Sequence, residues 1–460
     1  MSAPGTPARG LFQRFESAWV LDGVRTPMVD YQGAFADANP IDLGIHAARA
    51  VLARCGVSGA EVDSVLAGNM APGGFDQYML PRHVGLYAGV PHEVPALMVQ
   101  RICGTGFELF RQAGEQLGAG IASLALLVGS ESMTRNPIAA FDHRGGFRLG
   151  APVAFKDYLW EALVDPAPAI TMIQTAENLA RKYGITRAEV DAFAAGSFAR
   201  AVAAQEAGWF AGEIEPVEST RFELDGYAAR GLKLAGKARL ADRDTHPRPT
   251  PPEVLTGLRP VYPQGVQTAG NSSALVDAAA AALVADGAAA ARWSGRSGRA
   301  PLARLVAAAV VGVPPEIMGI GPAPAIRRLL DGAGLALADV ARFEVNEAQG
   351  AQTLAVAREL GLDLGRLNVH GGAIALGHPL AATGVRLTIT VARQLQAIGA
   401  RFGVASACVG GGQGNALQLE KPAAARRGEM PRITPMSKTQ VHTVTVHRGD
   451  CDPAGIVFFP

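Results

Sequence analysis

The sequence predicts an α/β protein built on a parallel or mixed sheet. Segments with strand patterns alternate with segments of helical periodicity along most of the chain. One run, SLALLVGSESM at 123–133, is apolar without alternation, which is typical of a strand covered on both faces. The order of predicted strands and helices before residue 135 resembles the order after residue 266. Residue identity alone does not prove an internal repeat.

The first elements follow from apolar spacing. AWVLD at 18–22 predicts a buried strand, and 62–70 predicts a strand that leads into a loop. Residues 40–56 and 107–120 have the spacing of amphipathic helices. The apolar face of the first of these helices combines the following side chains: Leu43, Ile45, Ala48, Val51 and Leu52.

Residues 136–265 differ from their flanks because they are richer in charge, aromatic residues and proline. Two helices are predicted within 175–210, and Thr186 with Glu189 forms a capping box at the start of the second helix. A proline-rich loop follows at 244–260. The segment is therefore a candidate insertion.

Alternation resumes after the insertion. The alanine-rich run at 272–286 predicts a helix, and 302–313 predicts a strand. The remaining patterns are a helix at 323–334, a strand at 341–348, helices at 351–361 and 381–399, and two strands joined by a glycine turn at 402–420.

Composition excludes several classes of protein. The chain has 460 residues and a net charge of +1, so no overall field favours nucleic acid or a membrane surface. The four cysteines are far apart, which disfavours a zinc site or a disulfide framework. Free thiols in a reducing cytoplasm fit best, since the N-terminus also lacks the apolar run of a signal peptide.

Three glycine-dense loops hold reactive side chains: RICGTG with Cys103, HGGAIALGHPLAATG with His378, and SACVGGGQG with Cys408. Cys103 and His378 each precede a predicted helix, and a helix N-terminus lowers the pKa of a thiol. A histidine in such a place can take a proton from the thiol. Each feature alone is equally consistent with a buried small residue or an ordinary turn.

Together, these segments resemble the thiolase family. The shared motifs occur in the family's order and span about residues 17–421: LDGVRTP, VQRICGTG, LLVGSESM, TAENLARKYGITRAEVDAFA, TAGNSSALVDAAA, PPEIMGIGP, NEA, NVHGGAIALGHPL and CVGGGQG. The resemblance implies acyl transfer between coenzyme A and a second acyl-CoA by ping-pong chemistry, with coenzyme A as substrate and no other cofactor or metal.

The resemblance also implies roles for four catalytic residues. Cys103 would carry the acyl thioester, and His378 would deprotonate it. Cys408 would move the second proton, which each half-reaction requires. Asn346 would hold a water that, with His378, stabilises the enolate oxygen.

Further positions match the family's binding residues. The backbone N–H groups of Cys103 and Gly410 would form a second oxyanion hole. Ser273 matches the serine that contacts the pantetheine arm, and Met318 matches a methionine that lines the pocket. Gln349 stands where the family has a phenylalanine in the acyl pocket.

Other departures surround the catalytic histidine. Ala381 replaces a glycine, Thr383 replaces a serine, and His370 replaces an asparagine. Thr171 and Ile173 also depart from the family's stretch before TAE. The four catalytic groups are retained, so these changes predict an active enzyme with altered acyl specificity.

The implied fold is a five-layered αβαβα sandwich of two similar halves with an inserted loop domain. The domain boundaries predicted for it are an N-terminal arm at 1–16, one half at 17–290 with the loop domain at 136–265, a second half at 291–422, and a tail at 423–460. Family members imply a homotetramer or dimer.

The tail has a different resemblance. Residues 437–460 are similar to the first strand and turn of hotdog thioesterases of the 4-hydroxybenzoyl-CoA type, with Asp452 at the position of their catalytic aspartate. One strand cannot build a core, so the fragment should not catalyse anything. Met436 would suit the start of a separate reading frame, which predicts a truncated fusion or read-through.

Three alternatives to a thiolase remain at this stage. The chain could be another condensing enzyme of the superfamily, but NEA, GHP and the second cysteine count against ketoacyl synthases and sterol-carrier-type thiolases. It could be a non-catalytic protein that binds CoA esters. It could be a thioesterase, although most of that domain is missing.

Overall fold

Strands and helices alternate along residues 9–141 and 143–423, which are the residues that the computed structural model describes. Eighteen strands are assigned in this part of the chain: β1 (Leu11–Arg25), β2 (Val29–Asp30), β3 (Ser64–Gly68), β4 (Ala96–Val99), β5 (Leu124–Glu131), β6 (Ile138–Ala139), β7 (Lys156–Asp157), β8 (Val164–Asp165), β9 (Ile170–Thr171), β10 (Val217–Glu218), β11 (Thr220–Phe222), β12 (Arg230–Leu232), β13 (Leu240–Ala241), β14 (Val276–Ala285), β15 (Ala303–Gly312), β16 (Val340–Val345), β17 (Phe402–Val409) and β18 (Gln413–Glu420).

Twelve α-helices connect these strands within the described residues: α1 (Pro40–Cys55), α2 (Leu80–Tyr87), α3 (Thr105–Gly118), α4 (Tyr158–Glu161), α5 (Met172–Tyr183), α6 (Arg187–Glu206), α7 (Pro252–Thr256), α8 (Gly287–Ser297), α9 (Pro322–Ala333), α10 (Gly350–Leu360), α11 (Ala373–Leu376) and α12 (Leu380–Ile398). None of the described helices is long and apolar enough to cross a membrane. The predicted capping box of Thr186 and Glu189 starts α6.

Ten strands form one mixed sheet with the order β16-β17-β18-β15-β1-β14-β5-β3-β4, and β2 pairs with β14 beside this path. The pairs β16–β17, β3–β5 and β3–β4 are parallel, whereas the central strands are antiparallel. β1 pairs with β14 on one side and with β15 on the other, so it joins the two halves of the sheet.

Helices α3 and α12 lie between the two halves of the sheet. α12 contacts β5 and β14 of one half and β16 and β17 of the other, and it also packs against α3. α1 and α2 cover the outer face of the first half, and α9 covers that of the second with α10 packed beside it. The predicted five-layered α/β sandwich is therefore confirmed.

Three hydrophobic cores correspond to these layers. The central core lies between the halves and contains side chains from α3, α12 and both parts of the sheet. One outer core joins α1 and α2 to the first half, and the other joins α5, α6, α9 and α10 to the second half. The central strands of the sheet, such as β5 and β14, are thus covered on both faces, which explains their continuous apolar sequences.

The candidate insertion contains β6–β13 and α4–α7. Its helices α5 and α6 pack against α10 and α11 of the second half. A buried ion pair joins the insertion to β1, where Arg25 donates to Glu213 at 3.1 Å and to Asp244 at 2.7 Å. The insertion is therefore anchored to both halves of the sheet.

The alanine-rich run at 272–286 corrects one sequence-based prediction, because it forms strand β14 and not a helix. All ten residues of β14 are buried, and the strand pairs with β1 and β5. A strand covered on both faces has no alternating pattern to read, and the alanines' helix propensity is overridden by sheet pairing and packing.

Helices α3 and α12 cross at two glycines. A Cβ atom built on Gly106 would lie 2.5 Å from the backbone nitrogen of Val385, and one on Gly384 would lie 2.4 Å from that of Phe107. The contacts involve main-chain atoms of both helices, which cannot rotate away. Only glycine allows the two helices to approach this closely.

The chain divides into two units at Pro422. The predicted thioesterase-like strand, with Asp452 and Met436, lies outside the described residues. Its interpretation as a truncated fusion stays a prediction.

The glycine crossing makes a prediction for stability. Gly384→Ala should destabilise the protein by about 1–3 kcal/mol, because the added methyl group overpacks a main-chain contact. Thermal unfolding followed by circular dichroism measures the effect. Gly118→Ala is the matched control, since a Cβ there meets nothing within 4 Å. A midpoint for Gly384→Ala at or above that of the control would contradict the packing argument.

Candidate active site

Cys103 lies in a tight turn between β4 and α3. A 3-10 turn spans Ile102–Gly104, and Thr105 closes it by donating its hydroxyl to the Ile102 carbonyl at 2.7 Å. Ile102 has a φ of +46°, which is a strained conformation for a β-branched residue. The turn delivers Cys103 at the N-terminal end of α3, as the sequence predicts, with 8% of its surface exposed.

The electrostatics of Cys103 differ from the sequence-based expectation. Burial raises the pKa of the Cys103 thiol to about 11, although hydrogen bonds from the backbone N–H groups of Gly410 and of Cys103 itself oppose the shift. The Glu131 carboxylate raises the pKa further. The expected lowering at the helix N-terminus is therefore wrong for the free protein, because desolvation of the thiolate is the larger effect. The thiol rests neutral and needs a base.

His378 precedes α12, as predicted, and its tautomer follows from its neighbours. The Thr383 hydroxyl donates its only proton to the Pro379 carbonyl at 3.0 Å, so it accepts a hydrogen bond from His378 Nδ1–H at 2.6 Å. His378 Nε2 then carries the lone pair. This nitrogen is buried and has no partner among the described residues.

Burial also keeps His378 neutral. Desolvation lowers the pKa of His378 to about 3, and the nearby Arg386 guanidinium adds to the shift. The imidazole is therefore an unprotonated base at every ordinary pH. Arg386 is itself buried and donates to Glu344 at 3.2 Å.

Cys408 lies near the end of β17 and is fully buried. Burial raises the pKa of its thiol, and the charge of the nearby Cys103 thiolate raises it further. Gly410, two residues later, donates its N–H to the Cys103 sulfur. The glycine turn after β17 thus connects the two predicted catalytic cysteines.

Asn346 directly follows β16, so it lies beside the C-terminal end of the parallel strand β17. Its backbone N–H donates to the Ser406 carbonyl at 2.9 Å, which aligns it with the end of β17. The side chain is fully buried, and neither of its polar atoms has a partner among the described residues. Polar groups at the carboxyl ends of parallel strands typically meet ligands.

Ser273 lies between the Asn346 loop and the His378 loop. Its N–H donates to the Ala348 carbonyl at 3.1 Å. The next residue, Ala274, accepts from the His378 N–H at 3.1 Å. The segment therefore sets the spacing of the two loops.

Gln349 and Met318 lie on either side of this arrangement. Gln349 is 6% exposed, bridges to Ser272 through the backbone, and has a side-chain oxygen without a partner in the described chain. Met318 is buried in the 3-10 helix Pro315–Ile320 and packs with Ala348 and Cys408. The structure thus places all eight predicted site residues on neighbouring segments, in loops, at the end of β17 and in the 3-10 helix Pro315–Ile320.

Sequence reasoning missed two contributors. It noted Thr383 only as a departure, although this hydroxyl orients the imidazole of His378. It gave no role to Glu131, which is fully buried at the end of β5. The signal for Glu131 was present, because an acidic residue rarely ends a fully apolar strand without a partner.

Family models and curated relatives match most of the chain. Residues 18–288 match the family model "Thiolase, N-terminal domain", and residues 299–421 match "Thiolase, C-terminal domain". The human mitochondrial 3-ketoacyl-CoA thiolase is 40% identical over 407 residues, covering 88% of this chain and 98% of that protein. The beta-ketoadipyl-CoA thiolase of Acinetobacter baylyi is 39% identical, covering 88% and 99%.

Solved structures have the same fold. The crystal structure of human mitochondrial 3-ketoacyl-CoA thiolase in complex with CoA superposes with a TM-score of 0.82 at 40% identity, covering 88% of this chain and 98% of that chain. The Bacillus anthracis acetyl-CoA acetyltransferase gives a TM-score of 0.80 at 36% identity, covering 88% and 99%.

The contact between Thr383 and His378 makes a prediction for catalysis. Thr383→Val should lower kcat by about 10- to 100-fold, because the imidazole loses the acceptor that fixes its tautomer and orientation. Turnover of acetoacetyl-CoA with CoA measures the effect.

Thr390→Val is the matched control on the same helix, since the Thr390 hydroxyl is buried without a partner among the described residues. Its kcat should equal that of the wild type. Equal rates for both variants would show that Thr383 does not orient His378.

Proposed function

This chain belongs to the thiolase family, and we propose that it cleaves 3-ketoacyl-CoA with CoA, and runs the reverse condensation, through an acyl group carried on Cys103. One observation carries the proposal. A neutral base, His378 Nε2, and two buried thiols lie on neighbouring segments, since Leu380 packs with Cys103 and the charge of Cys103 acts on Cys408, and the base nitrogen has no partner in the described chain. Two proton transfers require two such groups.

The first half-reaction would transfer the acyl group. His378 Nε2 takes the proton of Cys103, and the thiolate attacks the 3-keto carbon of the substrate. The bond between carbons 2 and 3 breaks, and the acyl group stays on Cys103 as a thioester. Cys408 gives its proton to carbon 2, which leaves as acetyl-CoA. The raised pKa of the Cys103 thiol explains why a base in contact is needed.

The second half-reaction would return the enzyme to its starting state. The Cys408 thiolate takes the proton of the incoming CoA thiol, and the CoA sulfur attacks the thioester on Cys103. Acyl-CoA leaves, and Cys103 recovers its proton from His378. Each group thus ends in the protonation state in which it began.

Two oxyanion sites would assist these steps. The N–H groups of Gly410 and Cys103 point at the Cys103 sulfur in the free protein, so they lie near an oxygen on the carbon that this sulfur attacks. Asn346 and protonated His378 would stabilise the enolate oxygen, Asn346 through a water. A buried unpaired amide costs about 1–3 kcal/mol, which favours occupation of the Asn346 side chain by a polar group.

We also propose a homo-oligomer, a tetramer or dimer, in a reducing compartment. The segments 138–141 and 143–160 expose several large apolar side chains, which favours burial by another copy: Ile138, Phe141, Phe147, Leu149, Phe155 and Trp160. Cys103 and Cys408 must stay reduced to act, which fits the predicted cytoplasm. Coenzyme A serves as substrate, with no other cofactor proposed.

Thiolysis with the purified protein tests the function. Excess CoA and a panel of 3-ketoacyl-CoAs from acetoacetyl-CoA upward should give turnover that Cys103→Ala abolishes. Cys55→Ala is the matched control, since Cys55 is an equally buried thiol in a different core. Loss of turnover in the control, or turnover in Cys103→Ala, would overturn the assignment.

Non-catalytic binding of CoA esters is a further outcome of this assay. A folded wild-type protein that turns over no member of the panel would support that alternative. A chain that forms no acyl thioester on Cys103, tested by intact mass, would strengthen it.

Gln349 makes a prediction for specificity. Gln349→Leu should raise kcat/KM for unsubstituted acyl chains relative to chains with a polar end, because it removes a buried oxygen that has no partner in the described chain. Relative kcat/KM values for paired substrates measure the change. Leu354→Met is the control, since Leu354 is an apolar residue of α10, the helix that Gln349 precedes, and it lies five residues after Gln349. An unchanged ratio in Gln349→Leu would remove Gln349 from the acyl pocket.

A further inference from the structure

Glu131 holds together three segments around the predicted nucleophile. The residue ends β5, and its carboxylate is fully buried. Oε1 accepts from the Asn69 side chain at 3.0 Å and from the Ala71 N–H at 3.1 Å. Oε2 accepts from the Met70 N–H at 3.1 Å and from the Ala381 N–H at 3.0 Å. One carboxylate therefore binds the loop after β3 and the first turn of α12.

The donors lie on segments that contact Cys103. Met70 and Leu380, the neighbour of Ala381, pack with the Cys103 side chain in one small cluster. Met133, two residues after Glu131, completes the same cluster. Glu131 thus connects, through main-chain hydrogen bonds, the three segments that contact the nucleophile.

The loop that leads into α12 carries the proposed base. His378 lies three residues before Ala381, and the Ala381 carbonyl would be 2.2 Å from a Cβ built on Gly129 of β5. β5 therefore contacts the Ala381 peptide units from both sides, with Gly129 at the carbonyl and Glu131 at the N–H. The position of the His378 loop relative to Cys103 depends on this strand.

We propose that Glu131 is a positioning residue, whose carboxylate sets the distance between Cys103 and His378 by binding the loops that carry and surround them. The inference rests on the proposed function, because it assigns these two residues as nucleophile and base. Glu131 contacts neither substrate nor the reacting atoms in this role.

The charge of Glu131 supplies a second, independent readout. Burial raises the pKa of Glu131 to about 7, and the neighbouring Asp277 carboxylate on β14 raises it further. Glu131 is therefore ionised over the range in which Cys103 loses its proton, and it opposes the thiolate. Cys103 and Asp277 are titratable groups whose charges interact with this carboxylate. Removal of the charge should lower the pKa of Cys103.

Glu131→Gln tests both effects in one protein. The amide keeps the size but leaves two of the four donors without an acceptor, so kcat for thiolysis should fall about 10- to 100-fold with KM little changed. At the same time, iodoacetamide should alkylate Cys103 about threefold faster or more below its midpoint, a shift of about half a pH unit. Mass spectrometry of the Cys103 peptide distinguishes this thiol from the other cysteines.

Glu213→Gln is the matched control, since Glu213 is an equally buried carboxylate paired with Arg25. It should lower stability without moving the pH midpoint of Cys103 alkylation. A Glu131→Gln variant with wild-type kcat would overturn the proposal, and so would a fall in kcat with an unmoved midpoint, which marks general structural damage.

Glu131→Asp tests the positioning role of Glu131 if the glutamine variant does not fold. It keeps the charge but shortens the side chain, so kcat should fall while the midpoint of Cys103 stays near that of the wild type. Wild-type kcat in this variant would overturn the proposal. A wild-type protein without thiolysis would instead remove the proposed function, and the alkylation profile would still report on Glu131.

Discussion

The close crossing of α3 and α12 is the constraint on which the site depends. Gly106 lies three residues after Cys103, and Gly384 lies six residues after His378. A Cβ atom at either glycine would lie within 2.5 Å of a main-chain nitrogen of the other helix, so the two helices would have to move apart. The Cys103 turn and the His378 loop are therefore held next to each other by two helix starts, from distant parts of the chain, that pack backbone to backbone.

The same packing removes the site from water and decides its electrostatics. Burial holds the two thiols and the imidazole in their neutral forms, since it raises the pKa of Cys103 and Cys408 and lowers that of His378. Helix dipoles and N–H donors oppose this effect without reversing it at Cys103. In the proposed reaction, a neutral resting site would confine charge to the moments of proton transfer, when donors in a dry environment stabilise it most.

The residues that depart from the family motifs make contacts with their immediate neighbours. Thr383 supplies the hydroxyl that orients His378, so the replacement of serine keeps the interaction. Ala381 is fully buried, and its N–H binds Glu131. His370 stacks on Trp209 with ring centroids 3.9 Å apart and accepts from Gln394 at 3.1 Å. The proposed proton-transfer groups are thus retained while the surroundings differ.

The sequence by itself determined the α/β class, the helices with one apolar face, and the loops that hold Cys103, His378 and Cys408, since local spacing and glycine content record them. Only the tertiary structure decided that the alanine run at 272–286 is a strand, because a doubly covered segment carries no periodic signal. Only it revealed the raised pKa of Cys103 and the four hydrogen bonds of Glu131. Desolvation and buried hydrogen bonds arise from residues far apart in the chain, and no local pattern contains them.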